Sequence, residues 1–354
     1  GDFLMQKKII ALAVAALAST AAFAQTNVTI YGIADMGIAG TTRLGNTNGQ
    51  TQFGVNSGVL STSRIGFKGV EDLGNGLKAL FVLEYGLVMD ASAPIGTNTI
   101  TSAAARQQFV GLTGGFGTVV AGHLQTTGLD FTVAGSALGG STGLGVAHTG
   151  TGLQASATNH LISALAGGRH DNAVAYISPS FGGVTVAYNH ARVSELAGTS
   201  GNTDAHGDLL SASYANGPIS AGAIYTRVTL DGANNNVKEW GLRAGYDFGV
   251  VKLQAQYQRA KDEAITTGSD SLWLVSATVP VGAKVAVIGE FGHTSRKSTT
   301  TADNVNAATV AATYSLSKRT TAYAGMKAVR VQSADLGTQG TDTNTYVMGL
   351  RHMF

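Results

Sequence analysis

Several common features are missing from this sequence or scarce in it. It has no cysteine and only 4 prolines, and 12% of its 354 residues are charged. No apolar run reaches the ~18 residues that a membrane helix needs. The lack of cysteine excludes a disulfide framework and a thiolate metal site. A soluble domain usually carries about 25% charged residues. With 44% hydrophobic residues and 48 glycines, the composition is typical of a membrane-spanning β-barrel, in which apolar side chains alternate with lumen-facing ones.

Residues 1–24 are predicted to be an export signal rather than part of the fold. Met5–Lys8 gives a basic start, Ile9–Leu17 an apolar centre and Ala22–Ala24 a small-x-small cleavage site. The apolar part is too short for a membrane anchor. Residues 1–4 precede this start and are interpreted as an over-extended reading frame or as residues added in cloning. The mature chain is expected to begin at Gln25, with 25–354 as one barrel domain and export to the outer membrane.

The charge balance argues against a nucleic-acid partner. The chain has 23 basic and 21 acidic residues, and removal of Lys7, Lys8 and Asp2 with the signal leaves 21 and 20. Nucleic-acid-binding proteins usually carry a basic excess.

Period-2 alternation recurs along the chain after residue 25. Trp240, Leu242 and Ala244 alternate with Gly241 and Arg243, for example. Such alternation predicts strands with one apolar face. Soluble sandwich strands alternate too, but several hundred residues of them without a helical segment would be unusual. We therefore predict an all-β fold, a closed transmembrane antiparallel β-barrel, in which every backbone group is paired.

The connections between these segments alternate between short and long. This pattern matches the periplasmic turns and extracellular loops of an outer-membrane barrel. Counting the segments predicts about sixteen strands, enough for an aqueous lumen. The short turns are predicted at 71–76, 114–117, 179–183, 216–218, 248–250, 280–283 and 317–318, and the long loops at 40–57, 89–104, 125–170, 193–207, 230–237, 261–269, 294–305 and 331–343.

The stretch 125–168 is unusual in length and composition. It is rich in Gly, Ala, Ser and Thr, it has no Lys or Arg, and Asp130 is its only acidic residue. A long loop without clear secondary structure is usually functional or disordered. Two interpretations remain at this point. Either the loop folds into the barrel and narrows the pore, or it is a disordered external loop.

Six ordered blocks from Asn27 onward resemble the general porins of β-proteobacteria. The resemblance covers essentially the whole chain from Gln25. It implies a trimeric sixteen-stranded barrel in the outer membrane, surrounded by lipid and lipopolysaccharide, with the third extracellular loop folded inward. It also implies passive diffusion of ions and small hydrophilic solutes, without a cofactor. The blocks are NVTIYGIADMG, TSRIGFKGVEDLGNGLKALFVLE, RQQFVGLTGGFGTVVAG, RHDNAVAYISPSFGGVTVAYN, LSKRTTAYA and GLRHMF.

By position within the blocks, the resemblance also implies a set of pore residues. Arg64, Arg106 and Arg169 match the basic wall residues that face the constriction loop in such porins, and Glu84 matches a wall carboxylate. The aromatic Phe354 matches the terminal residue that the assembly machinery reads.

The sequence departs from the family pattern in two places. His123 stands where relatives commonly have Arg, and Asp130 is alone where relatives often have an acidic cluster. With Arg64, Arg106 and Arg169 against Glu84 and Asp130, we expect one excess positive charge at the constriction. His123 is expected to add a fractional charge at mildly acid pH, since its reference pKa is about 6.5. The expected outcome is a modest anion preference.

Other motifs do not support an enzyme. Gly139-x-Ser141-x-Gly143 fits the nucleophile pattern of serine hydrolases but lacks the strand before it and the helix after it. Ser315-x-x-Lys318 lies at a predicted turn. The eight histidines show no His-x-x-x-His pair, which makes solvated side chains a better interpretation than a metal site. A surface adhesin or receptor, whose long loops bind a host or phage, is the alternative function.

Overall fold

A computed structural model of the chain describes most of the predicted barrel. The described residues are 27–44, 52–93, 95, 97–99, 102–103, 105–146, 168–194, 205–230, 235–263, 268–297, 303–333 and 342–354. The predicted export signal, 1–24, lies outside them, and so do Pro94 and the tips of several predicted long loops.

The described residues are almost entirely strands. The wall strands are β1 (Asn27–Leu44), β2 (Gln52–Ser57), β3 (Arg64–Gly74), β4 (Leu77–Gly86), β7 (Ala105–Gly114), β8 (Gly117–Gln125), β9 (Arg169–Ile177), β10 (Val184–Ser194), β11 (Ala205–Asn216), β12 (Ile219–Leu230), β13 (Asn235–Asp247), β14 (Lys252–Asp262), β15 (Asp270–Val281), β16 (Val285–Ser295), β17 (Asp303–Ser315), β18 (Thr320–Ser333) and β19 (Asp342–Met353). A small hairpin is formed by β5 (Thr97–Thr99) and β6 (Ser102–Ala103), and the helix α1 is Thr127–Ala134.

The wall strands form one antiparallel sheet that closes on itself. The sheet contains 17 described strands. Both β2 and β3 pair with successive stretches of β1, so together they occupy one position in the wall. This gives 17 − 1 = 16 positions. On its other side β1 pairs with β19, from Ile33↔Met353 to Leu44↔Asp342, which removes both sheet edges. The prediction of a closed barrel of about sixteen strands is confirmed.

The alternation in the sequence corresponds to the two faces of this wall. On β14, Gln254, Gln256 and Gln258 are buried on the inner face, whereas Leu253 and Ala255 are exposed on the outer face. Large apolar side chains are exposed along the outer face of many other strands. Because the inner face is polar and the outer face apolar, the wall has the polarity of a barrel surrounded by lipid.

The short connections lie where the sequence predicts them, although the strands reach further. Within predicted turn 71–76, only Asn75 and Gly76 remain outside β3 and β4, with φ of 53° and 77°. Positive φ at both central residues is typical of the tight turn that suits the twist of a hairpin. Pro280 lies inside β15, next to its last residue, and not at the turn as expected.

The strands also extend into the predicted long loops. The predicted loop 40–57 contains the end of β1 and all of β2, and the predicted loop 89–104 contains β5 and β6. Their composition is polar and gives little alternation, so the sequence did not indicate these strands. Backbone pairing with a neighbouring strand maintains them instead.

Helix α1 is the main difference from the long loop that the sequence predicts at 125–170. The hydroxyl of Thr126 accepts a hydrogen bond from the backbone N–H of Leu129, which caps the helix, and Gly135 ends it. The Gly- and Thr-rich composition concealed this helix because such residues have low helix propensity. Among the described residues, no helix is long and apolar enough to cross a membrane.

Candidate pore constriction

The segment Thr126–Val146, called the lumen segment here, lies against the inner face of the wall. The backbone N–H of Thr127 donates to Asn189 Oδ1 on β10 at 2.8 Å. On β14, Gln254 Nε2 donates to the carbonyl of Ala134 at 2.9 Å, and Gln256 Nε2 to that of Thr132 at 3.2 Å. These wall side chains point inward, so the segment crosses the lumen side of β10 to β14. The remainder of the predicted loop, 147–167, lies outside the described residues.

Glu290 on β16 holds the middle of the lumen segment. One carboxylate oxygen accepts hydrogen bonds from Ser136 Oγ at 2.5 Å and from the backbone N–H of Leu138 at 2.9 Å. The other accepts from the backbone N–H of Val146 at 3.3 Å. Charge-assisted hydrogen bonds of this kind are stronger than neutral ones. Glu290 is only 4% exposed, so its carboxylate is occupied by the segment rather than by the pore water.

An inward turn of the wall, Gly58–Ser63, is called the inner turn here and is the second support. It lies between β2 and β3, and Asp35 on β1 holds it. Asp35 Oδ2 accepts from the backbone N–H groups of Leu60 and Ser61 at 2.9 and 2.5 Å. Its other oxygen accepts from the Tyr323 hydroxyl at 2.6 Å. One oxygen of this buried carboxylate therefore fixes the inner turn, and the other is held by Tyr323 on β18.

The lumen segment and the inner turn meet at Val59. The backbone N–H of Gly143 and the hydroxyl of Ser141 both donate to the Val59 carbonyl, at 3.0 and 2.8 Å. A Cβ on Gly143 would lie 2.7 Å from Val59 Cγ1, so a glycine is needed for this approach. Ser141 Oγ also accepts from the backbone N–H of Leu144 at 3.1 Å. The serine of the Gly-x-Ser-x-Gly pattern thus has a structural role.

Next to the inner turn, the basic side chains of Arg64 on β3 and Arg106 on β7 gather around Glu84. Glu84 Oε1 lies 2.7 Å from Arg106 Nε and 3.8 Å from Arg64 Nη1. Its Oε2 accepts a hydrogen bond from the Tyr31 hydroxyl at 3.1 Å. Arg106 falls at a register shift between β4 and β7, where Glu84 pairs with Gln107 and the next residue of β4 with Ala105. This irregularity brings Arg106 to the face of the wall that carries Glu84.

A hydrogen-bonded chain links this basic wall to helix α1. Arg169 Nη2 donates to Gln125 Oε1 at 2.6 Å, and Gln125 Nε2 donates to Asp130 Oδ1 at 2.6 Å. Arg169 also acts electrostatically on Glu84 together with Arg64 and Arg106. Most of the residues implied by the resemblance therefore lie in one connected group.

Asp130 is the acidic member of this group that belongs to the lumen segment. Burial raises the pKa of Asp130 to about 6, although the hydrogen bond from Gln125 and the charges of Arg169 and Arg243 oppose the shift. A carboxyl with this pKa loses its charge on mild acidification.

Arg243 on β13 was not among the residues that the resemblance implied. Its guanidinium carbon lies 5.8 Å from the centroid of the Phe131 ring on α1, and its Nη2 donates to Ser213 Oγ at 3.1 Å. A Cβ at Gly222, its cross-strand partner, would lie 2.7 Å from Arg243 Nε. The alternation with Leu242 and Ala244 had already placed Arg243 on the polar face, so the sequence held a signal for it.

The structure places His123 in a different environment. Its Nδ1 lies 2.7 Å from Asp171 Oδ1, and the Asp171 side chain is 80% exposed. His123 is the cross-strand partner of Gln108, on the face of β7 where Val110 is exposed. A register shift between β8 and β9 at this point separates it from the inward-facing Gln125. His123 therefore pairs with an exposed carboxylate, whereas Arg106 and Arg169 belong to the group around Glu84.

Phe354 completes the closure of the barrel. Its backbone N–H and carbonyl are both hydrogen-bonded to Gly32 on β1, at 3.1 and 3.0 Å. Its ring lies over Gly32, since a Cβ there would be 2.3 Å from Phe354 Cζ. The ring is 44% exposed.

A closed sixteen-position barrel with an apolar outer face and a segment held against its inner face defines a channel-forming outer-membrane protein. The model of the family "Gram-negative porin" matches residues 11–334. The chain belongs to this family, whose members are channels rather than enzymes.

Relatives and solved structures match this chain over nearly its whole length. Outer membrane porin protein 32 of Delftia acidovorans is 31% identical over 99% of this chain and 100% of its own. Major outer membrane protein P.IB of Neisseria lactamica is 30% identical, again over 99% and 100%. The structure of an anion-selective porin from Comamonas acidovorans matches with a TM-score of 0.75 at 25% identity, covering 93% of this chain and 100% of that one. OmpT of Vibrio cholerae in its trimer form matches with a TM-score of 0.66 at 14% identity, over 93% of this chain and 99% of its own, which bears on the fold alone.

Proposed function

We propose that the chain forms a passive diffusion channel for ions and small hydrophilic solutes, with a modest anion preference. The carrying observation is the convergence of Arg64, Arg106 and Arg169 on the single carboxylate of Glu84, in a group that Gln125 connects to the lumen segment. The anion-selective porin from Comamonas acidovorans supports the same sign of selectivity.

The charges of the group favour anions. Four arginines (Arg64, Arg106, Arg169 and Arg243) and two carboxylates (Glu84 and Asp130) interact in it, as their mutual electrostatic effects indicate. With both carboxylates ionised, the sum is 4 − 2 = +2. Fixed charges are screened over about 8 Å at physiological salt. A passage only several ångströms wide lies inside that length, so the excess acts on passing ions. Because His123 pairs with Asp171, we expect it to add less to this positive charge than the arginines do.

The test is the zero-current potential of the purified protein in a planar bilayer across a KCl gradient. The unmodified pore should prefer chloride, and the preference should grow as salt falls. Arg106→Gln or Arg169→Gln should move the potential towards zero. Arg319→Gln is the matched control, because Arg319 lies exposed at the short turn between β17 and β18 and should have no effect. A non-conducting protein or a cation-preferring pore would contradict the proposal.

We also propose that three copies assemble in the membrane, with lipid and lipopolysaccharide around them. The support is the resemblance to trimeric porins and the exposed apolar side chains of the outer wall, such as Phe53 and Val55 on β2. Chemical crosslinking in mild detergent should give a ladder that ends at three chains. A ladder that stops at one chain would contradict this assembly.

A further inference from the structure

Two buried carboxylates are neighbours on the inner face of the wall, outside the group around Glu84. Glu239 on β13 pairs with Ala260 on β14, and Ala260 pairs with Asp270 at the start of β15. All three residues are 0% exposed. Neighbouring strands lie about 4.8 Å apart, and alanine has no side chain beyond Cβ. The two carboxylates can therefore approach each other over Ala260.

In the part of the chain that the structure describes, no positive charge opposes Glu239. The charged group that acts on it is Asp270, which has the same sign. The buried Arg296 follows β16 directly, and its charge does not act on Glu239. Removing a carboxylate from water without an opposing charge is costly. Two such groups side by side therefore need either a bound cation or a shared proton.

Buried oxygen atoms without hydrogen-bond partners lie around the pair. Glu239 Oε2 accepts a long hydrogen bond from Thr226 Oγ1 at 3.4 Å, whereas Glu239 Oε1 has no partner. Gln258 Oε1 on β14 and Thr294 Oγ1 on β16 have none either. Among the described residues, four buried side-chain oxygens lack a partner, and these three are all within β13 to β16. Buried polar atoms are nearly always hydrogen-bonded, so this concentration points to a ligand that the oxygens share.

The amide oxygen of Gln258 faces the pair of carboxylates. Gln258 Nε2 donates to Gln256 Oε1 at 3.0 Å and to Thr132 Oγ1 at 3.2 Å. Gln256 lies further from Ala260 along β14, and its own amide is bonded to Thr132. Because the nitrogen of the Gln258 amide points to that side, its oxygen faces the Ala260 side. Interchanging the two amide atoms would bring two acceptor oxygens together, so this orientation is fixed.

We propose that Glu239, Asp270 and Gln258 bind a calcium ion where β13, β14 and β15 meet on the inner wall. Carboxylate and amide oxygens are calcium ligands, in flexible sets of about 6–8. Magnesium keeps several of its water molecules, for which fully buried side chains leave little room. No group of three or more His, Cys, Asp or Glu among the described residues is placed to hold a metal, so amide and hydroxyl oxygens complete this set.

A calcium ion at this place would join three strands and stabilise the lumen segment. Gln258 would connect the ion to Thr132 on α1 through its Nε2 hydrogen bond. The site lies outside the group around Glu84, so the inference does not depend on the proposed ion selectivity.

The test measures calcium binding to the purified full-length protein in detergent micelles, after a chelator has removed bound metal. Isothermal titration calorimetry gives the affinity. Terbium is a second probe, because it replaces calcium and its luminescence is excited by nearby tryptophan. Both tryptophans of the chain lie on the strands of the pair, Trp240 on β13 and Trp273 on β15. The unmodified protein should show saturable terbium luminescence that calcium removes at lower concentration than magnesium does.

Glu239→Gln removes one carboxylate and keeps the size of the side chain. Changing groups that only orient metal ligands costs about 10–100-fold in affinity, so loss of a direct ligand should weaken calcium binding at least about 10-fold. The double variant Glu239→Gln/Gln258→Glu restores the charge on the neighbouring strand and should regain binding. Glu71→Gln is the matched control, because Glu71 is exposed near the short turn between β3 and β4. It should bind calcium as the unmodified protein does.

Two further measurements keep the test decisive. Gln258→Glu alone adds a carboxylate and should tighten calcium binding, which tests the site if Glu239→Gln does not fold. Calcium should also raise the unfolding temperature of the unmodified protein, because a ligand of the folded state stabilises it. Absent calcium binding, equal binding by a folded Glu239→Gln variant, or unchanged binding by Gln258→Glu would each overturn the proposal. Stabilisation by acid and not by calcium would overturn it too, in favour of a proton shared by the two carboxylates.

Discussion

The anion preference should depend on pH through Asp130. Burial raises the pKa of this carboxyl to about 6, so Asp130 is charged at pH 7.5 and mostly neutral at pH 5. Loss of its charge changes the sum of the group from +2 to +3, because the four arginines keep their charge over this range. The preference for chloride should therefore increase as the pH falls from 7.5 to 5.

The size of this effect follows from the distance between the charge and the passing ion. One unit charge acting across about 6 Å of water changes the energy of a monovalent ion by about 0.7 kcal/mol, or about threefold in local concentration. Salt screens part of this interaction, with a Debye length of about 10 Å at 0.1 M and about 30 Å at 0.01 M. The change in the chloride-to-potassium permeability ratio should accordingly be larger at low salt and reach a few-fold there.

The assay compares zero-current potentials at pH 5 and pH 7.5 for the unmodified protein and for Asp130→Asn. The variant should show at pH 7.5 the selectivity that the unmodified pore shows only at pH 5. It should also lose most of the pH dependence. All other ionisable groups are unchanged in the variant, so Asp130→Asn isolates the contribution of Asp130. An Asp130→Asn pore with the full pH dependence would refute the assignment.

Two further substitutions and one deletion test the supports of the lumen segment and the closure of the barrel. Glu290→Ala removes the acceptor for the backbone N–H of Leu138 and costs about 1–3 kcal/mol per unsatisfied buried group. Single-channel conductance should therefore become larger and noisier. Unchanged conductance records would contradict the role of Glu290 in holding the lumen segment. Gly143→Ala places a methyl group against Val59 and should have a similar but smaller effect on conductance. Current steps identical to those of the unmodified protein would contradict the role of this contact. Deletion of Phe354 removes two backbone hydrogen bonds to β1 and the residue matched to the assembly signal. The yield of heat-resistant barrel in the membrane should therefore fall more than the expression level. A normal yield of barrel would contradict this role of Phe354.

The architecture could be predicted from the sequence because one local rule repeats along the whole chain. Alternation such as that of Trp240 to Phe248 gives each strand its two faces, and short turns such as Asn75–Gly76 set the order of strands. Strand ends in the polar loops could not be predicted, since pairing with a neighbour and not composition maintains them. The same holds for α1, whose cap at Thr126 lies in a stretch of low helix propensity.

The candidate site could be predicted only in part from the sequence. Arg64, Arg106, Arg169 and Glu84 lie in blocks that match the porins, and the structure brings them together. The bulges that turn Arg106 towards Glu84 and set His123 beside Asp171 depend on register shifts between strands, which no single-strand pattern records. The inner turn at 58–63 was missed for a related reason, because its role depends on contacts with Asp35 and the distant Gly143.

The use of the inward carboxylates explains why a near-neutral chain can have a positive constriction. Glu290 and Asp35 accept hydrogen bonds from the backbone N–H groups of the lumen segment and the inner turn. Their negative charge therefore interacts with backbone N–H groups that would otherwise lack a hydrogen-bond acceptor in the lumen. Asp247 accepts from the backbone N–H of Gly249 at an exposed short turn, far along β13 from Arg243. Among the described residues, the carboxylates of Glu84 and Asp130 act directly on the arginines. Because four arginines face these two carboxylates, the arginines set the sign of the field that a passing ion meets.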